Sequence, residues 1–305
     1  MNTFKTKFHF LGLFLALVLF SCNSKEKYNL EYKLAEGDNF KQSMKIASTI
    51  SQMGQKMQMD MDVSLLFDIK KLENDIYTVE LSYEKIKMDM DMGMAKISFD
   101  SETDTEFATL EDMSPIFRAM TGVPMTIQMS KKGKVQSVNG FEKIVESMTQ
   151  SIDAEIEEAV KDQILSQMQG QFSEEAVQSL FTNISSYFPQ EDVAIGDSWV
   201  SQSTIDNNGM QMTSTLNLTL KNVEGNTAEL ICSGEVSTPE EGIIQNSNGM
   251  EVTVVMSGTT EGSIFIDLNT GITAKGDLVQ KLTGKSTVMG MDIDQEIENN
   301  ITIRN

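Results

Sequence analysis

The chain has 305 residues, 40% apolar and 23% charged, which suits one large folded domain or two ordinary ones and excludes a disordered chain. Lys and Arg total 24 against 45 Asp and Glu, a net charge of −21, so the surface repels phosphate and nucleic acid is excluded as a partner. His9 is the only histidine, and Cys22 and Cys232 are the only cysteines, which excludes histidine triads, histidine zinc sites and a disulfide framework.

The N-terminus reads as an export leader. Lys5 and Lys7 precede an uncharged apolar run from Phe10 to Phe20, far short of the roughly 20 residues needed to span a bilayer. Leu19-Phe20-Ser21-Cys22 follows, then polar Asn23-Ser24-Lys25-Glu26-Lys27. This arrangement resembles a bacterial lipoprotein signal, with a small residue before the cysteine. The resemblance implies cleavage between Ser21 and Cys22 and acylation of Cys22, tethering the mature chain to a membrane without spanning it. Asn23 gives no familiar retention signal, so the expected location is the cell envelope, on the outer membrane.

From Tyr28 to about Val138, apolar and polar residues alternate, as in Tyr28-x-Leu30-x-Tyr32-x-Leu34 and Ile76-x-x-Val79-x-Leu81-x-Tyr83. A period of two predicts half-buried antiparallel strands, punctuated by turns at Glu36-Gly37-Asp38, Glu73-Asn74-Asp75 and Lys131-Lys132-Gly133-Lys134. The period then changes. Phe141, Ile144, Val145, Met148, Ile152, Ile156, Val160, Ile164 and Met168 recur every three to four residues, predicting an amphipathic helix that ends near Gly170. Ser173 is a candidate N-cap for a second helix carrying Val177, Leu180, Phe181, Ile184 and Phe188, closed by Pro189. Alternation resumes at Trp199 and continues to the C-terminus. Cys232, in Ala228-Glu229-Leu230-Ile231-Cys232, reads as a small buried hydrophobe.

The two strand regions echo each other. Gly37-Asp38-Asn39-Phe40 corresponds to Gly196-Asp197-Ser198-Trp199, Met57-Gln58-Met59 to Met210-Gln211-Met212, and Thr78-Val79-Glu80-Leu81 to Thr227-Ala228-Glu229-Leu230. Conserved order indicates duplication of one β-meander with the helices inserted between copies.

Methionine is the chemical oddity, with 22 in the chain. Met57, Met59 and Met61 alternate with Gln58, Asp60 and Asp62. Met88, Met90 and Met92 alternate with Asp89 and Asp91. On strands this puts thioethers on one face and carboxylates on the other. Three readings stand: core packing, a soft lining for an apolar ligand, or a thioether site for Cu(I). Clustered Asp60, Asp62, Asp89 and Asp91 read as a solvated face before a calcium site. No phosphate-binding glycine motif or marked nucleophile occurs, and no cofactor is expected.

Beyond the leader, Tyr32-Lys33-Leu34-x-x-Gly37-Asp38-x-Phe40, Gly54-Gln55-Lys56-Met57-x-Met59, Val123-Pro124-Met125-Thr126-Ile127, Gly133-Lys134-Val135 and Gly262-x-x-x-x-Asp267-x-x-Thr270-Gly271 stand in order. This layout resembles an uncharacterised Bacteroidota-type family of envelope lipoproteins carrying a domain of unknown function. It implies no reaction and no catalytic residues. The architecture is similar to the periplasmic lipoprotein-carrier fold, an open β-barrel that holds acyl chains against helices.

The expected fold is α+β: a large curved antiparallel sheet or open barrel from two related meanders, with an amphipathic helical pair between them. The boundaries are 1–21 for the leader, 22–30 for a tether, 31–138 and 191–305 for the meanders and 139–190 for the helices, in one composite domain. The expected function is a lipid-anchored, non-enzymatic binding module for an apolar small molecule, a lipid or an envelope protein partner. Met57, Met59, Met61, Met88, Met90 and Met92 would form its lining. A purely structural protein with a filled Met-rich core is the first alternative, and a Met-based Cu(I) binder the second. Intact-mass analysis of the exported protein should show a chain that starts at an acylated Cys22. Cys22→Ala should abolish both the added mass and membrane retention.

Overall fold

A computed structural model describes residues 25–93, 96–103, 114–152, 178, 187–207, 210–247 and 250–305. In chain order the elements are β1 (Lys27–Tyr28), β2 (Asn39–Gln52), β3 (Gln55–Glu73), β4 (Ile76–Asp91), β5 (Lys96–Asp100), α1 (Ser114–Met120), β6 (Met125–Ser130), β7 (Val135–Asn139) and α2 (Phe141–Ser151). Then follow β8 (Val193–Ala194), β9 (Ser198–Asn207), β10 (Met210–Glu224), β11 (Thr227–Ser237), β12 (Ile243–Ser247), β13 (Met250–Asp267), β14 (Thr273–Val288) and β15 (Met291–Arg304). β1 pairs with β8. The other thirteen strands form one antiparallel sheet in the order β7-β6-β4-β3-β2-β15-β14-β13-β11-β10-β9, with β5 on β4 and β12 on β13. Among the described residues the sheet is open, since β7 and β9 end the path without pairing to each other.

The N-terminal segment shows how far this sheet curls. The Tyr32 N–H donates to Lys131 O at 2.7 Å, and the Lys33 N–H donates to Thr270 O at 2.9 Å. Lys131 follows β6 and Thr270 follows β13, six strands apart in the sheet order. In a flat sheet that separation would be roughly 29 Å. Bonding to consecutive residues brings the two carbonyls to within about 10 Å. The sheet therefore bends until turns from its two halves meet at one end, here called the base. Lys132 adds hydrogen bonds to Asn29 Oδ1 and Leu30 O, and Lys33 Nζ bonds Leu268 O. The Tyr77 hydroxyl accepts from Leu34 N–H and donates to Tyr32 O, both at 3.0 Å, and Tyr77 is fully buried.

Glycines permit the bend. A Cβ on Gly258 would sit 1.9 Å from Lys281 O, and one on Gly284 would sit 2.1 Å from Val255 O. The neighbouring backbone passes where any other side chain would begin.

Both meanders begin with the same local structure. The Asp38 carboxylate accepts from Ala35 N–H and the Asp197 carboxylate from Ala194 N–H. Gly37 N–H donates to Ile69 O and Gly196 N–H to Leu220 O, both at 2.8 Å. Ile69 and Leu220 return bonds to Asp38 O and Asp197 O. The register also shifts at matching places, between Ile69 and Lys71 in β3 and between Leu220 and Asn222 in β10. A bulge inserts one residue and resets which face follows, so equivalent bulges keep the two copies in phase.

The helices depart from expectation. Among the described residues the protein is mostly antiparallel β-sheet with two short helices, so the expected α+β class holds only in part. The helix expected over 141–168 ends at Ser151, because Ile152 has extended backbone (φ −81°, ψ 126°). Residues 153–177 and 179–186 lie outside the described residues, and with them most of the second expected helix. Tyr187 and Phe188, at its expected end, are non-helical and buried. Helix α1, with Pro115 in its first turn, was not expected inside the first strand region. Leu30, assigned to the tether, is 1% exposed and part of the core.

Gly258→Ala should destabilise the protein by about 3 kcal/mol through overpacking. Gly225→Ala, at a turn with open space around it, should cost about 1 kcal/mol, the conformational cost of its positive φ. Urea unfolding with m-values compared across the three proteins checks both.

Candidate functional site

Strand phase assigns each residue of the sheet to an inner face, which carries the buried core, or an outer face. Pairing registers align three rows across the inner face. The lower row runs Met88–Met61–Ile46–Ile301–Leu278–Gly262–Cys232–Leu218. The middle row runs Met90–Met59–Ser48–Asn299–Gln280–Thr260–Gly234–Leu216. The upper row runs Met57–Ile50–Ile297–Leu282–Gly258–Val236–Ser214. None of these positions is charged, in a chain with 24 basic and 45 acidic residues. The charges of the same strands fall on the outer face: Lys45 pairs with Asp62 at 3.3 Å, and Lys285 with Asp292 at 2.9 Å.

Below these rows the base is filled. Leu30, Tyr32, Phe67, Ile69, Tyr77, Leu81, Leu220, Leu230 and Ile266 belong to one buried cluster. Phe40 stacks on Phe67 with centroids 4.6 Å apart, and Tyr32 meets Phe188 edge-on at 5.1 Å. One gap of about 30 Å³ is lined by Tyr32, Phe40, Phe67 and Ile272 among others, room for about one water. A second cluster, Val236, Val254, Met256 and Leu282, lies higher on the sheet, with Met212, Val252 and Ile297 packed against it. Between the clusters the inner face is only partly covered. Ile46, Ile50, Met57, Met59, Ile297 and Ile301 are all half-exposed.

Of the six sequence-predicted methionines, the structure brings five together on two neighbouring strands, Met57, Met59 and Met61 on β3 and Met88 and Met90 on β4. Met59 lies opposite Met90, and Met61 opposite Met88. Met61, Met88 and Met90 pack against the lower core, while Met57 and Met59 stand above it. Met92 lies just past the end of β4 and is 42% exposed, at the rim. Ser21 and Cys22 lie outside the described residues. Asp60 and Asp89 face each other on the outer face, and Asp91 sits beside them. The Lys96 ammonium holds the Asp91 carboxyl below its usual range, with help from the Gly93 N–H. Among the described residues, no group of three or more His, Cys, Asp or Glu is placed to hold a metal ion.

Sequence reasoning passed over four residues. Ser48, Asn299, Gln280 and Thr260 hold inner-face positions in four adjacent strands. The signal was available: Ser48 stands between Ile46 and Ile50, and Asn299 between Ile297 and Ile301, at positions where the alternation calls for an apolar side chain.

Cys232 is 1% exposed on the lower row, and burial pushes its thiol up to about 12. Burial likewise pushes the Tyr83 phenol up to about 12. Both groups stay neutral across the physiological range and add no charge to the inner face.

A family model described as a family of unknown function (DUF6263) matches residues 74–273. No curated protein matches the sequence. Among solved structures, one of lipovitellin concerned with lipid–protein interactions is similar at 8% identity with a TM-score of 0.51. It covers 89% of this chain, which spans only 25% of that one, and the likeness is one of fold. The translocator domain of the autotransporter NalP from Neisseria meningitidis aligns over 90% of both chains at 7% identity, but with a TM-score of only 0.25.

Because native Cys232 holds its proton while the unfolded thiol titrates near 9.0, stability should fall as pH rises from about 9 toward 12. Cys232→Ala should flatten that part of the curve. Ellman's reagent should leave the native thiol unreacted at pH 8 and titrate it in urea.

Proposed function

The chain belongs to the DUF6263 family, whose function is unknown, and from that premise we propose that it is a lipid-anchored, non-enzymatic envelope protein, held on the outer membrane, that binds an apolar ligand on the inner face of its sheet. The observation that carries this reading is the uncharged, half-exposed inner face between the two core clusters. Charge would be costly beside a bound hydrocarbon, and the strand phase keeps it away. Each buried methylene of a ligand would contribute roughly 0.8 kcal/mol. Methionine suits such a lining because an unbranched thioether can repack around chains of different shape. The packed cluster at the base supports seating a ligand on the upper rows. The likeness to lipovitellin bears on architecture and not on what is bound here. The leader-like N-terminus supports the anchored location, and a fold whose first described strand begins at Lys27 would sit close to a lipid on Cys22.

Native mass spectrometry of the full chain purified from cells should show co-purified lipid. Met57→Leu with Met59→Leu should keep it and leave stability nearly unchanged, since volume is conserved. Ile50→Asp should lose the lipid by placing a carboxylate among the rows. Wild-type protein free of lipid after purification and after incubation with it would favour a structural role.

A further inference from the structure

The middle inner row contains a continuous hydrogen-bonded chain across four strands. Ser48 Oγ donates to Asn299 Oδ1 at 2.7 Å. Asn299 Nδ2 donates to Gln280 Oε1 at 2.9 Å, and Gln280 Nε2 donates to Thr260 Oγ1 at 3.3 Å. The chain runs in one direction, so the two amide nitrogens and the Thr260 hydroxyl each keep a donor, beside the unused lone pairs of the row's oxygens. Each amide nitrogen has two N–H groups and uses one in the row. The Thr260 hydroxyl accepts from Gln280 and keeps its own proton. The row therefore presents two donors, one N–H of Asn299 and one N–H of Gln280, and keeps a third in the O–H of Thr260, which is only 6% exposed. Gln280 and Asn299 are half-buried. Apolar side chains stand on both sides along three of the four strands, Ile50, Ile297 and Leu282 above, Ile46, Ile301 and Leu278 below, and Gly258 and Gly262 flank Thr260 on the fourth.

We infer that this row is the polar subsite of the inner face and takes the carbonyl of an uncharged acyl ester or amide whose hydrocarbon lies along the apolar rows beside it. The inference rests on the reading of the inner face as a ligand site and adds the ligand's chemistry. Donors without a cation select a neutral carbonyl acceptor over a carboxylate or phosphate, because an ion on this uncharged face would lose its hydration without a countercharge. A hydrocarbon without a carbonyl would leave the donors unpaired, and that loss gives the selectivity. A row that served only to pin strand register would be indifferent to the ligand's functional group.

The test compares two uncharged probes that differ at one linkage, 1-oleoylglycerol (an ester) and 1-O-oleylglycerol (the matching ether), by displacement of Nile red from the full chain. The ester should bind about tenfold more tightly. A variant with Ser48→Ala, Asn299→Leu, Gln280→Met and Thr260→Val removes every member of the row at similar volume. It should bind both probes with equal affinity near that of the ether on wild type. Equal affinity of wild-type protein for ester and ether would overturn the subsite while leaving the apolar site in place. A variant that keeps the ester preference would overturn it too. Failure of both probes to bind wild type would remove the ligand site itself and the subsite with it. Because the ester–ether comparison is made on wild-type protein, it stands even where the variant does not fold.

Discussion

A β-strand sends successive side chains to opposite faces, and in this chain that rule is used to empty one face of charge. With far more acids than bases, the protein can keep a broad uncharged surface only if each long strand holds its phase from end to end. A one-residue slip in β3 would put Asp60 and Asp62 where Met59 and Met61 now stand. The phase is managed where it would otherwise drift. In β4 the apolar positions change from odd (Tyr77, Val79, Leu81, Tyr83) to even (Ile86, Met88, Met90). The register shifts between Ser64 and Leu65 of its partner, so both sets reach the same face. The bulges shared by β3 and β10 do the same for the two copies.

A charge-free face becomes a recess only if the sheet bends. The base does this with a short segment. Residues 29–34 hydrogen-bond to turns of both meanders and bury Leu30, Tyr32 and Leu34 between them. Burial lowers the readiness of the Lys132 ammonium to hold its proton, yet its bonds to Asn29 and Leu30 fix the segment in place. Above the base the bend is carried by glycines that let one backbone pass against the next. The result is a closed, filled lower part and a less covered upper part. Anchoring and binding would thus occupy different regions of one fold.

Much of this was legible in the sequence because period two is a strong signal and the two meanders repeat turn residues that have a mechanical reason. Gly37-Asp38 and Gly196-Asp197 are visible as pairs because a positive φ and a carboxylate accepting a nearby N–H are needed twice. The methionine rows were legible by the same rule. The helix over Phe141–Met168 was overextended because apolar spacing alone does not show where a chain leaves the helical region, as it does at Ile152. A curved sheet was expected, but not which residues let it bend, since a glycine such as Gly258 announces a close approach only once its neighbour is known. The polar row was hidden for a related reason. Ser48, Gln280, Asn299 and Thr260 are far apart in sequence, and only the register of four strands makes them neighbours.

The central claim is that hydrocarbon lies on the upper inner face. Protein labelled with ¹³C at methionine methyl groups and mixed with a spin-labelled acyl chain tests it directly. The account predicts selective broadening of Met57, Met59 and Met212, with Met53 and Met289 at the exposed hairpin tips unchanged. Broadening confined to Met53 and Met289, or none at all, would contradict it.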